Sequence, residues 1–295
     1  MRWQKGETAM TQGVGDIQLS QPTLGVALLS DVGCQRSVNE DFALSEVPPA
    51  ETSEAAHKGT LVVVADGLGG HAGGEVASRM AAEVIRQVYY TSPAEPAEAL
   101  REAFVEANHL IWETARRHPL LRGMGTTCTA LAIRAWEAFA AHVGDTRLYL
   151  IRGGRIYQMT EDDSEVMEYV RQGRLSREAA ERHPEKNILL KALGTRPTIT
   201  PGFWERPLRV SVGDQFLLVS DGLHDLVTDE EMYAVLLDAP PDIACQRLVD
   251  LAKARGGHDN ITVGVVWAAG SEGAAQPVGA VPLRLRETRE VRVVS

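Results

Sequence analysis

An α+β layered domain is the fold class this sequence predicts. Two helical stretches follow one another directly, a β meander comes after them, and strands and helices nowhere alternate in regular βα units. Leu61–Ala65 (LVVVA) is a continuous apolar run stopped by Asp66-Gly67, which reads as a buried strand ending at a turn. From Glu75 to about Tyr90, Ala77, Ala81, Val84, Ile85 and Val88 recur at helical spacing, and Glu98 to Arg117 repeats the pattern with Leu100, Phe104, Ala107 and Ile111. Thr127 to Tyr157 is a series of short β-type runs with Arg152-Gly153-Gly154-Arg155 as a hairpin turn. Residues 160–195 are polar and helix-breaking in places. Gln215–Ser220 and Asn260–Ala268 are further apolar strands, separated by a helix over Pro241–Arg255 that Gly256 is placed to stop. No internal repeat is visible.

The 295 residues carry 30 Lys+Arg against 40 Asp+Glu, a formal charge of −10, with 44% apolar residues, so disorder and collagen-like order are excluded. The acidic balance argues against nucleic acid as a partner, because counterion release needs clustered Lys and Arg. An acidic chain that handles anions must concentrate positive charge locally. Cys34, Cys128 and Cys245 are odd in number and widely spaced, which is neither a disulfide framework nor a zinc pairing and fits a reducing cytoplasm. No signal-peptide core or membrane-length apolar run occurs, so a soluble, unprocessed, cytoplasmic chain with no membrane partner is expected. Residues 1–22 read as a flexible segment, and 269–295 as a Gly/Pro-rich linker followed by a basic, solvated tail.

Four aspartates stand beside glycine, or within two residues of it, at strand ends: Asp66 (VVVADGLGG), Asp145 (HVGDTR), Asp221 (LLVSDGL) and Asp259 (GGHDNIT). Any one of them is ordinarily a turn former. Four in the same context suggest a site for a hard divalent cation, because Mg²⁺ and Mn²⁺ take oxygen ligands and a neighbouring glycine lets backbone come close. Zinc is disfavoured, since the eight histidines are scattered. Two adjacent cations would lower the pKa of a shared water and clamp an in-line displacement at phosphorus. A second constellation, SDVGCQRSVNED (30–41), supplies Arg36, whose planar fork suits bidentate phosphate binding and whose bland reading is a surface pair with Glu40. Glu40 and Asp41 are either solvated acids or oxygen donors at the metal cluster.

The segments DVGCQRSVNED (31–41), VVVADGLGGHAGGEVAS (62–78), GMGTTCTAL (123–131), AHVGDTRLYL (141–150), LLVSDGL (217–223) and GHDNITVGVV (257–266) stand in the order and form of the metal-dependent protein phosphatases of the PPM, or protein phosphatase 2C, type. The resemblance covers about residues 23–268. It implies a four-layer αββα sandwich, two central antiparallel sheets flanked by helices, with two Mn²⁺ or Mg²⁺ ions at one end. By the resemblance, Asp66 bridges both ions, Gly67 gives a backbone carbonyl to one, and Asp221 and Asp259 ligate the other. Glu40 and Asp41 act near the ions through water, Arg36 grips the phosphate, Asp145 joins Asp221 in holding a third, weaker ion, and Asn260 orients from behind. The implied activity is hydrolysis of phosphoserine and phosphothreonine in proteins by direct attack of metal-bridged hydroxide, in a monomer that opposes a bacterial Ser/Thr kinase.

Some positions depart from the family pattern. Leu68 stands where animal relatives carry a histidine proposed as general acid, and leucine has no proton to give. His71 is a weaker candidate donor, a metal-bound water a simpler one. Thr146 replaces the usual serine, and Asp163 stands where histidine is common, at the start of the 160–195 flap that the resemblance links to substrate choice. All direct-ligand positions are intact, which favours an enzyme over a catalytically silent phosphoprotein-binding regulator. DGLGGHAGG has neither dinucleotide nor Walker spacing, and Cys34 and Cys128 lack a phosphate-cradling context and are expected to pack.

Overall fold

The computed structural model describes residues 23–47, 57–69, 73–269 and 293–294. Strands β1 (Thr23–Asp31), β2 (Asp41–Glu46) and β3 (Thr60–Leu68) precede two long helices, α1 (Gly73–Thr91) and α2 (Pro96–Arg117). Then come β4 (Gly125–Thr126), β5 (Cys128–Arg134), β6 (Glu137–Val143), β7 (Arg147–Arg152) and β8 (Arg155–Gln158). The flap carries α3 (Glu165–Arg171) and α4 (Arg177–Glu181), and β9 (Gly202–Phe203) and β10 (Leu208–Arg209) lead into β11 (Gln215–Val219). Helices α5 (Asp221–His224), α6 (Asp229–Asp238) and α7 (Pro241–Ala254) separate β11 from β12 (Ile261–Ala269), and β13 (Val293–Val294) lies parallel to β1.

The strands form two sheets, ordered β13-β1-β12-β11-β7-β8 and β10-β6-β5-β3-β2, with β4 on β3 and β9 on β6. Apart from β13, every pairing is antiparallel. Side-chain alternation builds four layers. Leu61, Val63 and Ala65 of β3 pack under α1 and α2 with Ile85 and Phe104, whereas Val62 and Val64 face the other sheet. In β11, Phe216 and Leu218 join that inter-sheet core, while Leu217 and Val219 pack beneath α6 and α7 with Leu236 and Leu248. Both faces of the central strands are covered, so these strands are continuously apolar rather than alternating. The αββα sandwich is the architecture the resemblance implied.

Most elements fall where periodicity placed them. Gly153 and Gly154 have φ of +58° and +78° in a two-residue hairpin closed by the Arg152–Arg155 pair. Beyond α7, Gly256 (φ +116°) donates its N–H to Lys253 O at 3.0 Å, a left-handed exit that ends the helix. Three readings need correction. The strand at 61–65 does not stop at Asp66-Gly67: Gly67 and Leu68 pair with Thr126 and Gly125, which carries β3 to Leu68. Helix α6 lies where the sequence reading places no helix, and Thr228 caps it with a reciprocal capping box to Glu231. The flap, polar and helix-breaking in places by its sequence, nonetheless holds two short helices. The expected flexible residues 1–22 and the 270–292 part of the tail lie outside the described residues. Among those described, no helix is long and apolar enough to cross a membrane.

Leu218 is fully buried between the sheets. Leu218→Ala should cost about 2–5 kcal/mol and lower Tm on the order of 10 °C. Leu120→Ala, at a side chain 91% exposed, should change stability by no more than about 0.5 kcal/mol. Thermal unfolding of the two variants checks the contrast.

Candidate metal centre

Both sheets deliver carboxylates to the same end of the sandwich. Asp41 opens β2 directly opposite Asp66 on β3, so the pair shares one face of the seven-stranded sheet. From the six-stranded sheet, Asp221 begins α5 at the end of β11, and Asp259 lies two residues before β12, the neighbour of β11. Asp145 sits in the turn by which the chain crosses from β6 in one sheet to β7 in the other. The backbone around Asp66 is pinned, its carbonyl accepting from Thr127 N–H at 2.9 Å and the Thr126 hydroxyl at 2.8 Å.

Close backbone approach explains Gly67. A Cβ there would lie 2.2 Å from Gly74 O and 2.6 Å from Glu40 O, so no side chain fits. Gly67 N–H and the Ser78 hydroxyl both donate to Glu40 O, at 3.1 and 2.6 Å, and the Glu40 carboxylate accepts from Gly74 N–H in the first turn of α1, where the helix favours an anion. Asn260 secures the other side of this loop. Its Oδ1 accepts from Glu40 N–H at 2.8 Å, and its Nδ2 donates to Val32 O and Val38 O at 3.0 Å each. The segment so held carries Arg36, half-exposed, whose guanidinium donates to Asp259 Oδ2 at 2.8 Å. The surface pair to Glu40 weighed from sequence is therefore replaced by a pair to Asp259.

The carboxylates repel one another. Withdrawal from water and then the neighbouring charges of Asp41, Asp221, Asp145 and Asp259 push Asp66 well above the usual carboxylate range. Asp145 is pushed up by burial and by Asp221, and Asp221 by burial and by Asp259. Burial lifts Asp41 to about 7, against hydrogen bonds from Thr262 and Ser220. Glu40 is raised by partial burial, and Arg36 is raised by its bond to Asp259.

Oxygen donors from Asp41, Asp66, Asp145, Asp221, Asp259 and the Gly67 carbonyl are the chemistry a hard cation takes. Asp41 Oδ1 and Asp221 Oδ1 are both buried without a protein hydrogen-bond partner, the kind of orphaned acceptor a bound cation or its water satisfies. Among the described residues no group of three or more acidic, histidine or cysteine side chains is placed to hold a metal ion as it stands, so an ion that took Asp66, Asp221 and Asp259 together would have to draw their carboxylates in around it.

Several contributors were missed in the sequence. Ser220 and Thr262 donate to Asp41, and their signal was a fully buried hydroxyl at the end of an otherwise apolar strand. His224 Nε2 lies 3.0 Å from Asp145 O, and Asp225 accepts from Lys186 and Asn187 of the flap at 2.7 and 3.2 Å. Asp163 pairs with Lys191 at 2.6 Å and accepts from Gly144 N–H. Thr146 pairs with Thr129 at 2.9 Å between hydroxyls, and Leu68 ends β3. His71 lies outside the described residues. Cys128 is buried as expected, and Cys245 is buried too, but Cys34, also expected to pack, is exposed, because its loop runs over the surface beside Lys253 and Gly257.

A four-layer αββα sandwich with an acidic, hard-cation type of site between its sheets defines a class, and the comparisons agree with it. Residues 35–244 match the family model described as Protein phosphatase 2C. The protein phosphatase PhpP of Streptococcus pneumoniae is 37% identical over 247 residues, covering 82% of this chain and 96% of that protein. The serine/threonine protein phosphatase PstP of Mycobacterium tuberculosis is 36% identical over 241 residues, covering 81% of this chain and 44% of that protein. Among solved structures, the serine/threonine phosphatase Stp1 from Staphylococcus aureus superposes with a TM-score of 0.76 at 30% identity, over 87% of this chain and 99% of that one. The catalytic domain of PstP, in complex with two manganese ions, gives 0.71 at 33% identity, over 85% of this chain and 100% of that one. This chain belongs to the protein phosphatase 2C family.

Raised carboxylate pKa values mean that the folded, metal-free chain binds more protons than the unfolded one. Their favourable contribution is complete below the unfolded value of about 3.9 and is lost as pH rises toward about 7, where Asp41 ionises. In EDTA, stability should therefore fall across that window. Asp66→Asn should raise the metal-free Tm at pH 7.5, the gain shrinking toward pH 4.5. A Tm for Asp66→Asn at or below the parent's at pH 7.5 in EDTA would contradict this electrostatic account.

Proposed function

We propose that this chain is a metal-dependent phosphatase of phosphoserine and phosphothreonine in proteins. The observation that carries the reading is the set of aspartates from both sheets, with two orphaned carboxylate oxygens, beneath the half-exposed Arg36. Asp66 would bridge two Mn²⁺ or Mg²⁺ ions, with the Gly67 carbonyl on one and Asp221 and Asp259 on the other. Asp41 and Glu40 would hold ion-bound water, and Asp145 with Asp221 would form a third, weaker site. When bound, the ions supply an activated water and neutralise charge developing on the transferred phosphoryl group.

The chain's own residues position the rest. Arg36 presents a fork for two phosphate oxygens, and its bond to Asp259 keeps the guanidinium at the edge of the carboxylate cluster until an anion arrives. Asn260 keeps that loop against the site through three hydrogen bonds. Leu68 offers no proton, so β3 supplies no general acid at that position. Cys128 is buried and its thiol is pushed up by burial, which argues against a thiolate nucleophile there. The flap, tied to α5 through Lys186 and Asn187 on Asp225, forms a wall against which a protein substrate would lie. The counterpart in the cell would be a Ser/Thr kinase acting on the same proteins, and the enzyme would act as a cytoplasmic monomer.

The purified chain should release phosphate from a phosphothreonine peptide with Mn²⁺, and EDTA or Asp66→Asn should abolish the activity. Turnover that survives Asp66→Asn would refute the assignment, and absence of turnover by the parent with any divalent metal would favour the silent regulator. Arg36→Ala should raise KM about 10- to 100-fold, the loss of a charge-assisted pair, with Mn²⁺ affinity changed less. Unchanged KM with lost metal affinity would place Arg36 at the metal rather than at the phosphate.

A further inference from the structure

A closed ring of hydrogen bonds surrounds Asp41, and the reaction outlined above leaves it unused. Asp41 N–H donates to Asn39 Oδ1 at 3.1 Å, and Asn39 Nδ2 donates to Ser30 Oγ at 2.8 Å. Ser30 Oγ and Thr262 Oγ1 are 2.7 Å apart, and Thr262 Oγ1 donates to Asp41 Oδ2 at 2.7 Å. A second arm runs through Ser220, whose Oγ accepts from Thr262 N–H at 2.9 Å and donates to Asp41 Oδ2 at 2.7 Å. Ser30, Ser220 and Thr262 are wholly inaccessible to solvent.

Proton counting fixes the direction of every link. Asp41 N–H must meet the amide oxygen of Asn39, so the Asn39 NH₂ faces Ser30. Ser30 Oγ accepts that bond and has one proton, which goes to Thr262. Thr262 Oγ1, having accepted, gives its only proton to Asp41. Ser220 Oγ accepts from a backbone N–H, so its proton also goes to Asp41. Both chains end on the same oxygen. Oδ2 is thereby an acceptor of two hydroxyl protons, while Oδ1, equally buried, has no protein partner.

We propose that Ser220 and Thr262 are positioning residues for the metal centre: by occupying Asp41 Oδ2 they fix the carboxylate and reserve Oδ1 as the one oxygen it offers to a cation or its water. The inference rests on the metal-dependent reading above. The ring also spans the two sheets, since Ser30 and Thr262 are directly opposed on β1 and β12 whereas Asp41 belongs to β2. It therefore sets Asp41, and with it the paired Asp66, against Asp221 and Asp259. A purely structural role would be to join the sheets, and a conservative variant separates the two possibilities.

The experiment is calorimetric titration of Mn²⁺ into the EDTA-stripped, dialysed full chain, with circular dichroism on every variant. Thr262→Val keeps the shape and removes the proton, and Ser220→Ala removes the second donor. Each should weaken Mn²⁺ binding about 10- to 100-fold, the usual effect of removing a partner of a metal ligand. Thr262→Ser should restore affinity to within about threefold of the parent. Should Thr262→Val fail to fold, Ser220→Ala decides the question. Parental affinity in every folded donor-removing variant, or a folded Thr262→Ser as weak as Thr262→Val, overturns the proposal. Asp66→Asn is the control that separates the two levels. If it abolishes Mn²⁺ binding while the donor-removing variants retain it, only the positioning role falls; if the parent binds no Mn²⁺, the metal reading falls and this inference with it.

Discussion

Mutual repulsion among aspartates withdrawn from water is the constraint on which the rest of this structure depends. Asp41 and Asp66 from one sheet, Asp221 and Asp259 from the other, and Asp145 at the crossover between them lie close enough for each to oppose the ionisation of its neighbours. A protein interior does not favour such a cluster, because an uncompensated carboxylate in low dielectric costs several kcal/mol. In the proposed reading, bound cations would resolve the conflict and convert a site of concentrated negative charge into one that attracts phosphate. With such ions bound, the formal −10 of the chain would overstate the negative character of the site where it would meet its substrate.

Rigidity elsewhere is what makes such a site possible. Apolar packing on both faces of β3 and β11 holds their ends in place, and the carboxylates ride on those ends rather than on long loops. The absence of a side chain at Gly67 lets the Glu40 and Gly74 backbones close against β3. Asn260 ties the Arg36 loop, and the hydroxyl ring ties one sheet to the other. Each device is neutral or only locally polar, so the site gains order without adding charge to an already repulsive cluster.

Much of this was legible in the sequence, for identifiable reasons. Buried strands read correctly because both faces are apolar, and α1, α2 and α7 because their apolar spacing is regular. Asp66, Asp145 and Asp221 were recognisable from their Asp-Gly or Gly-Asp context, Asp259 from its place two residues after a glycine pair, and all four from the ordered motifs, and the structure brings them to one end of the fold. Less legible were features that depend on distant partners. Strand β3 continues through Asp66-Gly67 because β4, some sixty residues later, pairs with it. Arg36 selects Asp259, more than two hundred residues away, over the nearby Glu40. Ser30, Ser220 and Thr262 carry no local signature of a metal site, since each is a small polar residue whose partner is supplied by another strand.

The most direct test of the account is a crystal of the full chain grown with Mn²⁺ and measured at the manganese absorption edge. The account predicts two anomalous peaks about 3.5–4 Å apart, both touching Asp66, with the Gly67 carbonyl on one and Asp221 and Asp259 on the other. An absence of peaks among these aspartates at saturating Mn²⁺, or occupied sites elsewhere with this cluster left protonated, would contradict it.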